Sequence, residues 1–197
     1  MKEFNIIISG VGGQGVITLQ NILAEAAMLD GYDVKTSELH GLSQRGGGVS
    51  SHVRFGGKIY SPMVLQGEAS LVFGMEPLEA LRVRYYTSKE KKSIFLVNSQ
   101  RILPLSVTAL KDKYPSNKEL ESTLKKFSEK TIFLDASDAV KKETGDTVTA
   151  NIYMLGYAAK KILPIKKETI LKAIKIIVPE KHFEMNKKIF DMGYSKA

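Results

Sequence analysis

The chain has 197 residues, 43% of them hydrophobic and 25% charged, with no cysteine and a formal net charge of +8. That length and balance describe one globular domain able to bury its own core. The missing cysteine excludes disulfides, thiolate zinc sites and cysteine-held iron–sulfur clusters on this chain.

The start, MKEFNIIISG, has too short an apolar run for a signal peptide, and no run approaches the roughly 20 residues that span a bilayer, so a cytoplasmic location is expected. Phe4 to Ser9 is isoleucine-rich and bounded by glycine, the pattern of a buried strand. From Val16 the apolar residues take helical spacing (Leu19, Ile22, Leu23, Ala26), and Asp30-Gly31 ends that helix. Val34 to Glu38 reads as a second strand, which completes a βαβ unit with an expected right-handed crossover.

A polar loop with three consecutive glycines follows. Val49 to Phe55 then alternates in the manner of a half-exposed strand. Gly56-Gly57 is a hairpin signal, with Lys58 to Ser61 expected as the return strand. Ser70 to Gly74 is another core strand. Pro77 opens a helix whose packed positions are expected to be Leu78, Leu81 and Tyr85. Ser93 to Asn98 is a strand, and Ser116 with Glu119 forms a capping-box pattern for a helix through Lys126. Thr131 to Leu134 is the last strand. Helices are expected over Ser137–Glu143, Ala150–Ile162, Lys167–Ile177 and Glu180–Met192.

Strands alternating with helices predict an α/β fold in one domain over residues 1–197. The sheet is expected to be Rossmann-like and mostly parallel, with helices on both faces, a β-hairpin addition and a helical C-terminal part.

The stretch GVGGQG matches G-x-G-x-x-G at Gly10, Gly12 and Gly15. Gly10 permits a tight turn, Gly12 a close backbone approach, and Gly15 close helix–strand packing. The helix that follows presents unpaired N–H groups, which suit phosphate or carboxylate. Three readings stay open. The turn binds a dinucleotide, with Glu38 as the ribose acid about twenty residues on; it binds another anion; or the glycines serve packing alone. A P-loop fits less well than any of these, because no lysine follows Gly15. The histidines (His40, His52, His182) form no evident site.

The positive charge suits nucleic acid, an anionic ligand or an acidic protein. Much of it is C-terminal lysine beside apolar helix positions, which reads as a solvated face, and no RNP-like or zinc-finger motif is present. Arg54, on the same strand face as His52, is expected at a surface or an interface. Tyr85 and Tyr86 beside Arg82 and Arg84 read as helix packing in preference to a base-stacking patch.

Three blocks, GVGGQGVITLQNILAEAA, SELHGLSQRGGGVSSHVRFG and LVFGMEPLEALR, resemble the gamma-type subunits of the 2-oxoacid:ferredoxin oxidoreductases. The resemblance is strongest to the small beta subunit of the indolepyruvate (arylpyruvate) type. It extends to Asn151, Leu155-Gly156, Asn186 and Gly193 and covers essentially the whole chain.

The resemblance implies oxidative decarboxylation of a 2-oxoacid with coenzyme A, giving acyl-CoA, CO2 and reduced ferredoxin. It places thiamine diphosphate and 4Fe-4S clusters on a larger alpha-type partner subunit. The chain's own composition agrees: it lacks cysteine, and GDTVTAN at 145–151 lacks the second glycine of a thiamine diphosphate GDG motif. This chain is therefore expected to be inactive alone, with no catalytic residue and no metal. Gly10, Gly12, Gly13, Gln14 and Gly15 are the candidates for holding a phosphate of coenzyme A or for meeting the partner. His40, Ser43, Gln44 and Arg45 are candidates for lining the same edge, Arg45 through a forked contact to phosphate or carboxylate. Nucleic acid and membrane are not expected partners.

Overall fold

The isoleucine run near the N-terminus makes an interior strand because both of its faces are apolar, and Ile6, Ile7 and Ile8 are all fully buried. The computed structural model describes residues 3–40, 47–103 and 113–197. Its strands are β1 (Phe4–Val11), β2 (Asp33–His40), β3 (Gly48–Gly56), β4 (Leu71–Gly74), β5 (Ile94–Asn98) and β6 (Lys130–Leu134). Its α-helices are α1 (Val16–Leu29), α2 (Pro77–Arg82), α3 (Asn117–Leu124), α4 (Ala136–Thr144), α5 (Ala150–Lys161), α6 (Lys167–Ile177) and α7 (Phe183–Lys196).

The six strands form one sheet in the order β2-β3-β1-β4-β5-β6. β1, β4, β5 and β6 run parallel. β3 is antiparallel to both β1 and β2. The fold is therefore α/β and mostly parallel. One face, with Ile6, Ile8, Phe55 and Phe73, is covered by α1 and the C-terminal helices. The other, with Ile7, Val72, Phe95 and Val97, packs against Ala80 of α2 and Leu124 of α3.

Local signals place several elements as expected. Ser116 and Glu119 make the capping box that starts α3, although the helix stops at Leu124 and not at Lys126. Pro77 opens α2 behind Glu76, whose carboxylate accepts from the N–H groups of Leu78 (2.7 Å) and Glu79 (3.0 Å). That helix is short and tightens into a 3-10 turn over Val83–Tyr86. The tightening rotates Val83 inward and leaves Tyr85 58% exposed, so Tyr85 is not the packing residue expected of it.

The antiparallel addition is not the hairpin expected at Gly56-Gly57. Residues 57–61 form no strand; β3 instead pairs back with β2. Side chains take the backbone groups that a return strand would have paired. Asp33 accepts from the Ile59 N–H (2.8 Å). Arg54 donates to the carbonyls of Ser61 (2.8 Å) and Met63 (3.2 Å). His52 Nδ1 accepts from the Val64 N–H (3.1 Å).

β3 is thereby an interior strand covered on both faces, not a half-exposed one. Arg54, expected at a surface or an interface, is only 9% exposed in the chain's own interior; it also bonds Asn5 Oδ1 (3.0 Å) and is ion-paired with Glu3. His52 is fully buried with its ring edge-on to Tyr86. Because its Nδ1 accepts a hydrogen bond, its Nε2 carries the proton, and among the described residues that atom has no partner.

Burial, and then the nearby Arg54 charge, hold the His52 pKa down at about 4, against an ordinary value of 6.5. The unfolded chain binds a proton below pH 6.5 that the native state refuses until about pH 4. Stability is therefore expected to fall as pH drops through that window, by up to about 3 kcal/mol from this residue. Urea unfolding at pH 7 and pH 4.5 should show a smaller difference for His52→Leu than for the native chain. Equal differences would contradict the assignment.

At the C-terminus α5 and α7 cross with their backbones in contact. A methyl on Gly156 would lie 2.0 Å from the Phe190 carbonyl oxygen, and one on Gly193 would lie 1.9 Å from that of Tyr153. This crossing accounts for two glycines that carry no turn.

Candidate functional site

β1 ends in the glycine turn, at the carboxyl edge of the sheet. Gly10 has no room for a side chain: a Cβ there would lie 2.8 Å from both Met75 Cβ and Gln14 Oε1. Gln14 fills that space and ties the turn down. Its Oε1 accepts from the Val11 N–H (2.8 Å), and its Nε2 donates to the Met75 carbonyl (2.9 Å) at the end of β4. Gly12 N–H bonds the Gly47 carbonyl (3.2 Å), which joins the turn to the end of the second glycine cluster. Gly13 and Gly15 both take positive φ, +102° and +72°. Gly15 then caps α1, and among the described residues no side chain caps the first-turn N–H groups of that helix.

The turn opens onto a cleft of about 690 Å³ between the first turn of α1, the start of α5 and the junction of α6 with α7. Gly13, Gly15 and Thr18 line one wall; Val148, Val178 and Met185 make the other largely apolar. Asn151, 4% exposed, sits at the base and donates from Nδ2 to the Gly15 carbonyl (3.0 Å). A helix N-terminus facing an apolar-walled cleft suits an anionic group joined to an extended, less polar arm.

The five turn residues Gly10, Gly12, Gly13, Gln14 and Gly15 are thus together at one edge. Gln14 is committed to holding the turn through both ends of its amide. His40 ends β2 on the outermost strand of that side; its side chain, with Ser43, Gln44 and Arg45, lies outside the described residues.

Glu38 does not stand where a ribose-binding acid belongs. β3 is inserted between β1 and β2, which sets Glu38 two strand spacings, roughly 10 Å, from β1. There it accepts from Gln20 Nε2 of α1 (2.8 Å).

Two features of this edge escape sequence reasoning. Glu79 of α2 is largely buried against the backbone of Gly48, where a Cβ would meet its Oε2. Burial pushes its carboxyl pKa up, against the opposing pull of Arg82 at 3.1 Å. A glutamate in the first turn of a helix reads as ordinary dipole compensation, so no local signal marks it. The second is a buried polar chain, in which Asn98 Nδ2 donates to Ser137 Oγ (2.8 Å) and Ser137 Oγ donates to Gln100 Oε1 (2.6 Å). Gln14→Leu should leave the Val11 N–H without its side-chain partner and the Met75 carbonyl with only the longer bond from Asn98 Nδ2 (3.4 Å), and cost about 2 kcal/mol. Urea unfolding checks this, and a neutral result would remove Gln14 as the tie of the turn.

The site thus sits on a mostly parallel α/β sheet with one inserted antiparallel strand, at the sheet's carboxyl edge. The chain matches the family model for pyruvate ferredoxin/flavodoxin oxidoreductase over residues 5–196 and belongs to that family. It is 37% identical over 199 residues to the indolepyruvate oxidoreductase subunit IorB of Pyrococcus horikoshii, covering 100% of this chain and 97% of that one. It is likewise 37% identical to the IorB subunit of Archaeoglobus fulgidus, covering 99% and 96%. Among solved structures it resembles the keto/oxoacid ferredoxin oxidoreductase gamma subunit of Geobacter sulfurreducens, at TM-score 0.73 and 26% identity over 100% of this chain and 97% of that one. Among the described residues no helix is long and apolar enough to cross a membrane.

Proposed function

We propose that this chain is the small subunit of a ferredoxin-dependent arylpyruvate oxidoreductase that converts indolepyruvate and related aromatic 2-oxoacids, with coenzyme A, to acyl-CoA and CO2 while reducing ferredoxin. The observation that carries the reading is the full-length similarity to indolepyruvate oxidoreductase subunits. Residues 1–197 act as one gamma-type domain. With no cysteine the chain has no ligand set for an iron–sulfur cluster. The clusters and thiamine diphosphate belong to a larger alpha-type subunit, and the complex works in the cytoplasm.

This chain's part is binding and placement. The Gly10–Gly15 turn and the free N-terminus of α1 receive a phosphate of coenzyme A, and the apolar wall of the cleft takes the arm beyond it. We assign His40, Ser43, Gln44 and Arg45 from the sequence to the same ligand, with the Arg45 guanidinium suited to a forked contact with phosphate or with a carboxylate of the partner.

Reconstitution tests the reading. The large subunit with this chain should reduce ferredoxin with indolepyruvate and coenzyme A, and neither chain should do so alone. A complex that turns over pyruvate in preference to every arylpyruvate would overturn the substrate assignment. In the assembled enzyme Gly12→Leu should raise the Michaelis constant for coenzyme A roughly tenfold to a hundredfold. An unchanged constant would move the turn from cofactor binding to partner contact.

A further inference from the structure

We infer that Asn151, at the start of α5, is the positioning residue that sets the glycine turn in its anion-binding form. The inference rests on the reading of that turn as a phosphate site. Asn151 is 136 positions from Gly15 in the chain, yet its Nδ2 donates to the Gly15 carbonyl (3.0 Å). Its Oδ1 accepts from the Ile152 N–H (2.9 Å), which fixes which end of the amide faces the turn.

The Gly15 carbonyl also accepts from the Leu19 N–H (3.0 Å). Both of its lone pairs are therefore taken on the helix side. A carbonyl oxygen left free at this point would repel a phosphate; one with two donors is held away from it, and the cleft is left to the N–H groups of the α1 first turn. The same amide occupies the space where a Cβ on Gly15 would fall, 2.4 Å from Nδ2. Gly15 and Asn151 thus fit as a pair: the one supplies positive φ and no side chain, the other a donor seated in the gap. The C-terminal helical layer in this way shapes a turn on the far side of the sequence.

Asn151→Asp separates this role from helix stability. The aspartate keeps the shape and still accepts from Ile152, and a carboxylate in the first turn of a helix suits the helix dipole. It cannot donate to Gly15, and it places an oxygen against that carbonyl. In the assembled complex, amide hydrogen exchange over Gly12–Thr18 is expected to rise about tenfold while the β5 peptide is unchanged. The Michaelis constant for coenzyme A should rise by about the same factor, with kcat within about twofold.

Faster exchange with an unchanged Michaelis constant would uphold the positioning role and reject coenzyme A as the ligand of the turn. Unchanged exchange would overturn the inference whatever the kinetics. If Asn151→Asp fails to assemble, Asn151→Ser removes the donor without a charge and is read by the same two measurements.

Discussion

Replacing Gly193 with alanine is expected to destabilise the protein by about 3 kcal/mol or more. On an exposed helix the same change stabilises by about 1 kcal/mol, because alanine is the better helix former. The sign reverses here because the new methyl would lie 1.9 Å from the Tyr153 carbonyl oxygen, which is backbone and has no rotamer to escape into. α5 and α7 would have to part by about 1.5 Å to restore contact distance. Their separation would loosen a crossing that buries Tyr153, Leu155, Ile189 and Phe190. Gly156→Ala makes the same demand from the opposite helix. One displacement serves both, so the double variant should lose less than the sum of the two singles. Urea unfolding of the three variants tests this; a neutral or stabilising Gly193→Ala would show that the helices do not meet at their backbones.

Gly15→Ala is expected to cost about 3 kcal/mol and to remove most coenzyme A-dependent turnover in the complex. Two separate penalties add. At φ +72° an alanine pays left-handed strain, and its methyl enters the space held by the Asn151 amide. Gly13 gives the internal comparison. Its φ is +102°, but nothing lies within 4 Å of a Cβ there, so Gly13→Ala meets strain without a clash and costs less. Removing the amide should return part of the Gly15→Ala loss: Gly15→Ala with Asn151→Ala should be less destabilised than the two singles added together. Additive losses would mean that the two residues do not share that space.

The sequence reveals the fold where the signal is local. A continuous apolar run marks β1, the helical spacing of Ile170, Leu171, Ile174 and Ile177 marks α6 over Lys167–Ile177, and the Ser116–Glu119 box starts α3 where it should. The glycine turn is legible as a turn for the same reason, although the individual roles differ from those expected: Gly10 makes the tight approach, Gly13 and Gly15 take positive φ, and Gly15 makes room for Asn151.

What escapes it is set by distant parts of the chain. The alternation of Val49–Phe55 suggests an outward polar face, but a loop crosses back over that face, so His52 and Arg54 are buried as hydrogen-bonding anchors for residues 61–64. Gly56-Gly57 looks like a hairpin because turn chemistry does not say whether the returning chain will pair. The insertion of β3 between β1 and β2 takes Glu38 away from the glycine turn, and spacing along the sequence does not report strand order. Asn151 appears in the sequence only as one position of a family pattern; its contact with Gly15 comes from the packing of α5 on α1. Gly156 and Gly193 likewise acquire a reason only when two helices cross.

The central claim, that this chain works as the small subunit of an arylpyruvate oxidoreductase, is tested most directly by gentle affinity isolation of the chain from its native host, with each stoichiometric partner identified by mass. The account predicts one large, brown, cysteine-rich subunit carrying thiamine diphosphate, and a complex that reduces ferredoxin with indolepyruvate. Recovery of the chain alone, folded and holding a dinucleotide, would contradict it and return the Gly10–Gly15 turn to nucleotide binding.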